Sequence, residues 1–236
     1  MMTLTVLGSG SDGNGYILEC GGEALILDCG VSPKQAKLAL DFDISKVVGC
    51  FISHRHTDHS KYRKDYSLWG VDMFTPYDDG TKIRANKQCG GFALQAFRLP
   101  HGDEICFGLL IRHKRGDTAL YMTDFGYTEY SFVGCKVNLF IVECNWQEKY
   151  VDMESENFKH KVADHCSFEV CKKFLEVNKT DSMNGVLLVH MGKDSANPKE
   201  CVAEIQNVLG DGVKVDYARP NETYEFKGKE VLPWDI

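Results

Sequence analysis

The densest run of chemistry-bearing side chains is His54-Arg55-His56-Thr57-Asp58-His59, which places three imidazoles and a carboxylate within six positions. Alternation in an extended loop puts His54 and His56 on one side, while Asp58 and His59 can turn toward a neighbouring ion. Imidazole and carboxylate are the ligands that zinc, manganese and iron accept at hydrolytic sites. A polar loop merely facing water is the alternative, but four ligand-type residues at a strand's end argue against it. Three more positions share that context of a strand end followed by a turn: His101 in Leu99-Pro100-His101-Gly102, Asp124 in Met122-Thr123-Asp124-Phe125-Gly126, and His190 in Leu188-Val189-His190-Met191-Gly192. Each alone reads as a surface or capping residue. Together, four ligand-bearing strand ends point to one shared rim.

The elements that must position these residues are legible from periodicity and turn signals. Residues 4–7, 16–20 and 24–28 read as short strands, separated by Gly8-Ser9-Gly10-Ser11-Asp12-Gly13-Asn14-Gly15 and by Gly21-Gly22. The first breaker lacks the Gly-Lys-Ser/Thr ending of a nucleotide loop and precedes a strand, so it reads as a turn near a site. Ser32-Pro33 opens a helix to about residue 40, and the apolar run 47–53 suits a buried strand leading into the histidine cluster. Further strands are expected at 92–99, 106–112, 118–122, 139–143, 185–190 and 214–217, and helices at 58–69, 167–177 and 198–209. This strand-rich order with interleaved helices fits one domain over residues 1–236, an α/β (four-layer α+β) arrangement of two sheets covered by helices.

Composition bounds the setting. The 236 residues are 43% hydrophobic and 26% charged, ordinary for a globular chain. No stretch approaches the roughly 18 apolar residues of a membrane span, and the N-terminus reads as a strand rather than a secretory signal. Ten scattered cysteines without a C-x-x-C pair are expected to be free, buried thiols of a cytoplasmic protein. A net charge of −7 argues against a surface coated for non-specific nucleic-acid binding. Lys61, Arg63, Lys64, Lys82, Arg84 and Lys87 are bunched, however, and read mainly as a solvated face.

The order H-x-H-x-D-H, then H, D and H, resembles the metallo-β-lactamase superfamily over nearly the whole chain. The resemblance implies an αββα sandwich with a dinuclear metal site at one edge of the sheets. It assigns His54, His56 and His101 to one ion, Asp58, His59 and His190 to the other, and Asp124 as the bridge. Zinc is the expected metal, with manganese as the alternative.

Several branches of the superfamily fit poorly. The β-lactamases use a cysteine at the position of Asp124, and the 66-residue step from Asp124 to His190 is too short for the nuclease insertion of the β-CASP branch. The segments Leu139-Phe140-Ile141-Val142-Glu143-Cys144 and His165-Cys166-Ser167 resemble those of the phosphodiesterase branch. This branch includes RNase Z and the YycJ-type (WalJ-type) exonucleases, whose Gly-Ser-rich opening residues 8–14 also resemble. The likeness implies a general-acid role for His165 supported by Glu143, with Asp58 and Asp124 beside the attacking water. Alternatively, His165 is an N-terminal residue of the 167–177 helix with no chemical duty. His113 and His160 read as surface residues. The expected substrate is a phosphodiester, in DNA, RNA or a cyclic or other nucleotide. The runner-up is lactone or thioester hydrolysis. No membrane partner is implied, and the oligomeric state is open, a homodimer being one option.

Overall fold

The computed structural model describes residues 1–76, 85–152, 154, 158 and 162–226. One sheet has the order β13-β1-β2-β3-β4-β5, built from Met2–Gly8, Gly15–Cys20, Glu23–Leu27, Val47–Phe51 and Met73–Phe74 for β1–β5, with Thr223–Phe226 as β13. The other has the order β12-β11-β10-β9-β8-β7-β6, from Asn86–Cys89 (β6), Phe92–His101 (β7), Glu104–His113 (β8), Thr118–Met122 (β9), Leu139–Glu143 (β10), Gly185–Val189 (β11) and Lys214–Tyr217 (β12). The inner faces meet in an apolar core containing Leu4, Leu18, Leu25, Phe51, Phe107, Tyr121, Ile141 and Leu187. Helices α1 (Pro33–Ala39), α2 (Thr57–Ser60) and α3 (Arg63–Ser67) lie in the chain of the first sheet, and a core of Ile26, Ala36, Leu40, Cys50 and Tyr66 packs α1 and α3 against it. Helices α4 (Phe168–Val177) and α5 (Pro198–Leu209) cover the second through Phe168, Cys171, Phe174, Cys201 and Ile205. The layers are αββα.

Local chemistry sets these elements. Strands β9, β10 and β11 run parallel and are buried at every position, as continuous apolar runs covered on both faces must be. Helix α4 is capped by Ser167, whose side chain accepts from the Val170 N–H, and α5 by Asn197, followed by Pro198 at its first turn. The segment 58–69, expected as one helix, divides into α2 and α3. Its break at Tyr62 has a tertiary cause: the Tyr62 N–H donates to the Cys29 carbonyl at 2.9 Å, a bond that leaves the helical ladder for a strand end. All ten cysteines are free thiols, and all but Cys135 are buried. Strands β5, β6 and β13, too short or too polar to stand out in the sequence, complete the sheet edges. Among the described helices none is long and apolar enough to cross a membrane. Lys82, Arg84 and His160 lie outside the described residues.

Candidate metal centre

Parallel pairing explains how residues far apart in the chain converge. Because β3 and β4 run parallel, their C-terminal ends deliver Asp28 and the Ser53–His59 loop to the same edge. In the second sheet, the parallel β9, β10 and β11 deliver Asp124, Glu143 and His190, and the end of β7 adds His101. Asp28, Asp124 and His190 all adopt left-handed backbone conformations, with φ of 58°, 50° and 49°. These are sparsely populated for residues other than glycine and concentrate where function holds them. Each of these kinks turns a side chain back over the strand ends instead of letting the strand continue.

The side chains form two groups that share Asp124. Ligand atoms of His54, His56, His101 and Asp124 all lie within 4.8 Å of one another, and so do those of Asp58, His59, Asp124 and His190. In the first group, His101 Nε2 lies 3.2 Å from His56 Nδ1, and His54 Nε2 is 3.8 Å from Asp124 Oδ2. In the second, Asp124 Oδ1 is 3.2 Å from His59 Nε2 and 2.8 Å from His190 Nδ1, while Asp58 Oδ2 is 3.3 Å from His59 Nε2. The two oxygens of Asp124 thus face different groups. All seven sequence-selected candidates, His54, His56, Asp58, His59, His101, Asp124 and His190, are brought together.

The donor set fits divalent cations. His101 Nδ1 is engaged by the Asp164 carbonyl at 2.9 Å and His59 Nδ1 by Asp28 Oδ2 at 2.7 Å, which turns each Nε2 toward the cluster, where it could ligate a cation once deprotonated. His190 Nε2 is buried and has no hydrogen-bond partner among the described residues, an arrangement a cation would satisfy. Burial, reinforced by the charge of His59, drives His54 well below the usual histidine range and keeps it neutral. At His190 burial opposes charge, but Asp124 and Glu143 outweigh it and raise the pKa to about 10. At His59 burial is likewise outweighed, by Asp124 and Asp28, and the pKa stands well above 6.5. Protons therefore balance the buried carboxylates in the metal-free chain, and metal binding would displace them.

Two supports were not singled out in the sequence. Asp28 is fully buried and, besides His59, accepts from Ser53 N (2.7 Å), Ser53 Oγ (3.0 Å) and Tyr121 Oη (2.6 Å), so it fixes the His59 ring. Its only signal in the sequence was an acid at the end of an apolar strand. Asn14, in the Gly-Ser-rich opening, donates through Nδ2 to Asp58 Oδ2 at 3.1 Å and lies 2.9 Å from His59 Nε2, while Ser9 Oγ accepts from His190 N at 2.8 Å. The opening loop is thus a wall of the site. Gly30 packs beneath it, where an added Cβ would overlap the Asp58 carbonyl oxygen and crowd Asn14 N. Gly30→Ala is therefore expected to destabilise the protein by roughly 3 kcal/mol or more, lowering Tm by roughly 6–12 °C. Calorimetry on the metal-free protein would check it, and an unchanged Tm would mean the loop yields freely.

His165 lies beside both groups. Its Nδ1 is 2.7 Å from Glu143 Oε1 and 4.0 Å from Asp124 Oδ2, and its side chain is 24% exposed whereas Glu143 is fully buried. Glu143 Oε2 also accepts from Phe125 N (3.0 Å) and Cys166 N (3.2 Å), so the carboxylate is locked. Burial works against charge on His165, but the Glu143 carboxylate outweighs it and raises its pKa above 6.5. His113, expected at the surface, is instead buried, with Nε2 3.1 Å from Glu23 Oε2. It ties the end of β8 to the start of β3, far along that strand from Asp28. Of the bunched basic residues, Lys87 pairs with Asp72 at 2.9 Å and Lys61 lines a cleft of about 660 Å³ together with Ser9, Gly10, Gln35, His165 and His190.

Over its near-full length the chain superposes on YhfI of Bacillus subtilis, described as a metallo-β-lactamase fold protein, with a TM-score of 0.72, 19% identity, and 94% of this chain and 98% of that one covered. This is the metallo-β-lactamase fold. Human tRNase Z, short form, has the same fold with a TM-score of 0.62 at 16% identity, covering 96% of this chain and all of that one. A diphosphatase of the PhnP family gives 0.63 at 16% identity, with 97% and 99% covered. The family model described as anti-Pycsar protein Apyc1 matches residues 2–61, the stretch from β1 through the His54–His59 cluster. No curated protein matches the chain.

Proposed function

We propose that this protein is a metal-dependent phosphodiesterase that hydrolyses DNA, RNA or a nucleotide, cyclic nucleotides included. The observation that carries this reading is the His165–Glu143 pair set 4.0 Å from the carboxylate shared by both ligand groups. A dinuclear lactone or thioester hydrolase needs the ligands but gains less from a separate, carboxylate-braced proton donor. Likeness to tRNase Z and to a diphosphatase supports phosphorus–oxygen chemistry, though one fold hosts many reactions. The net charge of −7 leaves small nucleotides as open as an exonuclease substrate. Two zinc ions are the expected complement, manganese the alternative, and the free thiols fit a cytoplasmic setting.

Bound in the two groups, divalent ions would lower the pKa of a water and neutralise charge on the phosphoryl oxygens. The chain's own residues do the rest. Asp124 and Asp58 flank the position of the attacking water, Asp58 with a side chain 23% exposed. Glu143 engages His165 Nδ1, fixing the ring and leaving Nε2 to hand a proton to the departing oxygen. Asp28 and Asn14 hold His59 and Asp58 in place. In a test on one metal-loaded batch with bis-p-nitrophenyl phosphate, single- and double-stranded DNA, cyclic nucleotides and an acyl-homoserine lactone, kcat/KM for a phosphodiester should exceed that for the lactone by orders of magnitude. The reverse ranking would move the protein to the lactone and thioester class.

A further inference from the structure

A second cleft of about 370 Å³ shares no lining residue with the large one and is lined by Arg98, His101, Glu104, Tyr127, Glu129 and Tyr130 among others. His101 belongs to the first ligand group, so this cleft borders the candidate metal centre at that residue. It differs in character from the large cleft, which holds His165 and Lys61 but a single aromatic ring, Tyr62. Here two tyrosines are presented by one loop directly after Asp124, and they remain 55% (Tyr127) and 48% (Tyr130) exposed. Tyrosines left this open beside a polar site cost apolar hydration unless something covers them.

The loop that presents them is held rather than loose. At its start Phe125 N donates to Glu143 Oε2 at 3.0 Å and Gly126 N to the Pro100 carbonyl at 3.1 Å. At its end Tyr130 N donates to Thr128 Oγ1 at 3.2 Å, and the Tyr130 ring packs edge-on against Phe97 with centroids 5.3 Å apart. Phe132 N, just beyond, donates to Asn178 Oδ1 at 2.6 Å. Tyr130 is thus anchored, and Tyr127 is the more open ring. A pre-set aromatic surface with an arginine beside it is what a nucleobase stacks on, because every base offers a π-face and the rings need no reordering.

We infer that this shelf, with Tyr127 as its stacking ring, binds the nucleobase of the half of the phosphodiester that keeps the phosphate. The inference rests on the phosphodiesterase reading and assigns the two sides of the scissile bond. His165, the proton donor, lines the large cleft, so the departing alkoxide leaves there. The retained nucleoside then crosses the centre past His101 to the shelf.

Two esters with one leaving group test this: thymidine 5′-(p-nitrophenyl phosphate) and methyl p-nitrophenyl phosphate. In both, a water oxygen bonds to phosphorus, the P–O(aryl) bond breaks, and p-nitrophenolate departs with the bonding pair. They differ in the retained group, a nucleoside in one and a methyl group in the other, and the Tyr127→Phe variant, which keeps a ring to stack on, separates stacking from contacts to the sugar. Tyr127→Ala should lower kcat/KM for the thymidine ester by roughly 5- to 150-fold, the worth of one base–aromatic stack. Stacking is shared by ground and transition states, so the loss should appear in KM with kcat little changed. The methyl ester should lose less than about twofold, and Tyr127→Phe should behave as wild type on both. Equal loss on both esters, no loss on either, or a Phe variant as poor as the Ala one would overturn the shelf. Failure of the wild type to hydrolyse either ester would instead overturn the phosphodiesterase reading, and the shelf with it.

Discussion

His165→Ala is expected to lose roughly 10²–10⁴-fold in kcat on substrates with alkoxide leaving groups, the usual worth of a positioned general acid. Its metal content should be unchanged. The loss should shrink on bis-p-nitrophenyl phosphate, because p-nitrophenolate departs without a proton, whereas His56→Ala should damage both substrates alike. The geometry makes this a sharp test, since Asp124, Glu143, His165 and His190 also bring ligand atoms within 4.8 Å of one another. If His165 were a ligand, its replacement would strip metal and harm good and poor leaving groups equally. The acid must be protonated to act. Glu143 outweighs burial and raises the His165 pKa, so activity should hold through neutral pH and fall as pH climbs through that raised value. Glu143→Gln removes the supporting charge and should move this basic limb to lower pH. A pH–rate profile unaltered by Glu143→Gln would separate the two residues functionally.

Asp124→Ala should lower metal occupancy from about two ions per chain, because one carboxylate oxygen faces each ligand group. Elemental analysis finding a full complement in the variant would remove Asp124 from the bridging position. The same substitution has a consequence for the metal-free protein. Burial would raise the Asp124 pKa, but His190 and His59 outweigh it and hold it well below 3.8. A depressed carboxylate pKa contributes stability that is present above the unfolded value and lost as pH falls through the folded one. Asp124→Ala should therefore flatten the acid limb of the stability–pH curve as well as lowering stability near neutrality. His59 and His190 would lose a counter-charge and release protons at lower pH. Denaturant titrations of metal-free wild type and variant between acid and neutral pH would reveal this. Parallel curves would show that the imidazoles draw their charge from Asp28 and Glu143 alone.

What the sequence by itself determined was local. Apolar runs located β9 and β10 to the residue, Ser32-Pro33 marked a helix start through capping and a fixed proline φ, and four ligand-type residues within six positions marked the candidate site. These features are set by neighbours in the chain, so periodicity and residue type suffice to read them. The tertiary structure decided what depends on contacts between distant segments. Asp28 is an ordinary strand-end acid until parallel pairing with β4 places it under His59. Asn14 joins Asp58 and His59 across some 44 residues only because Gly30 lets the loops close. The break at Tyr62 answers to a carbonyl on another element, and His113 is buried because Glu23 meets it from 90 residues away. The aromatic shelf gave no signal in the sequence at all. Tyr127 and Tyr130 look like any loop tyrosines until the loop after Asp124 is pinned against Pro100, since which side of a metal centre a loop borders is fixed by packing and not by spacing.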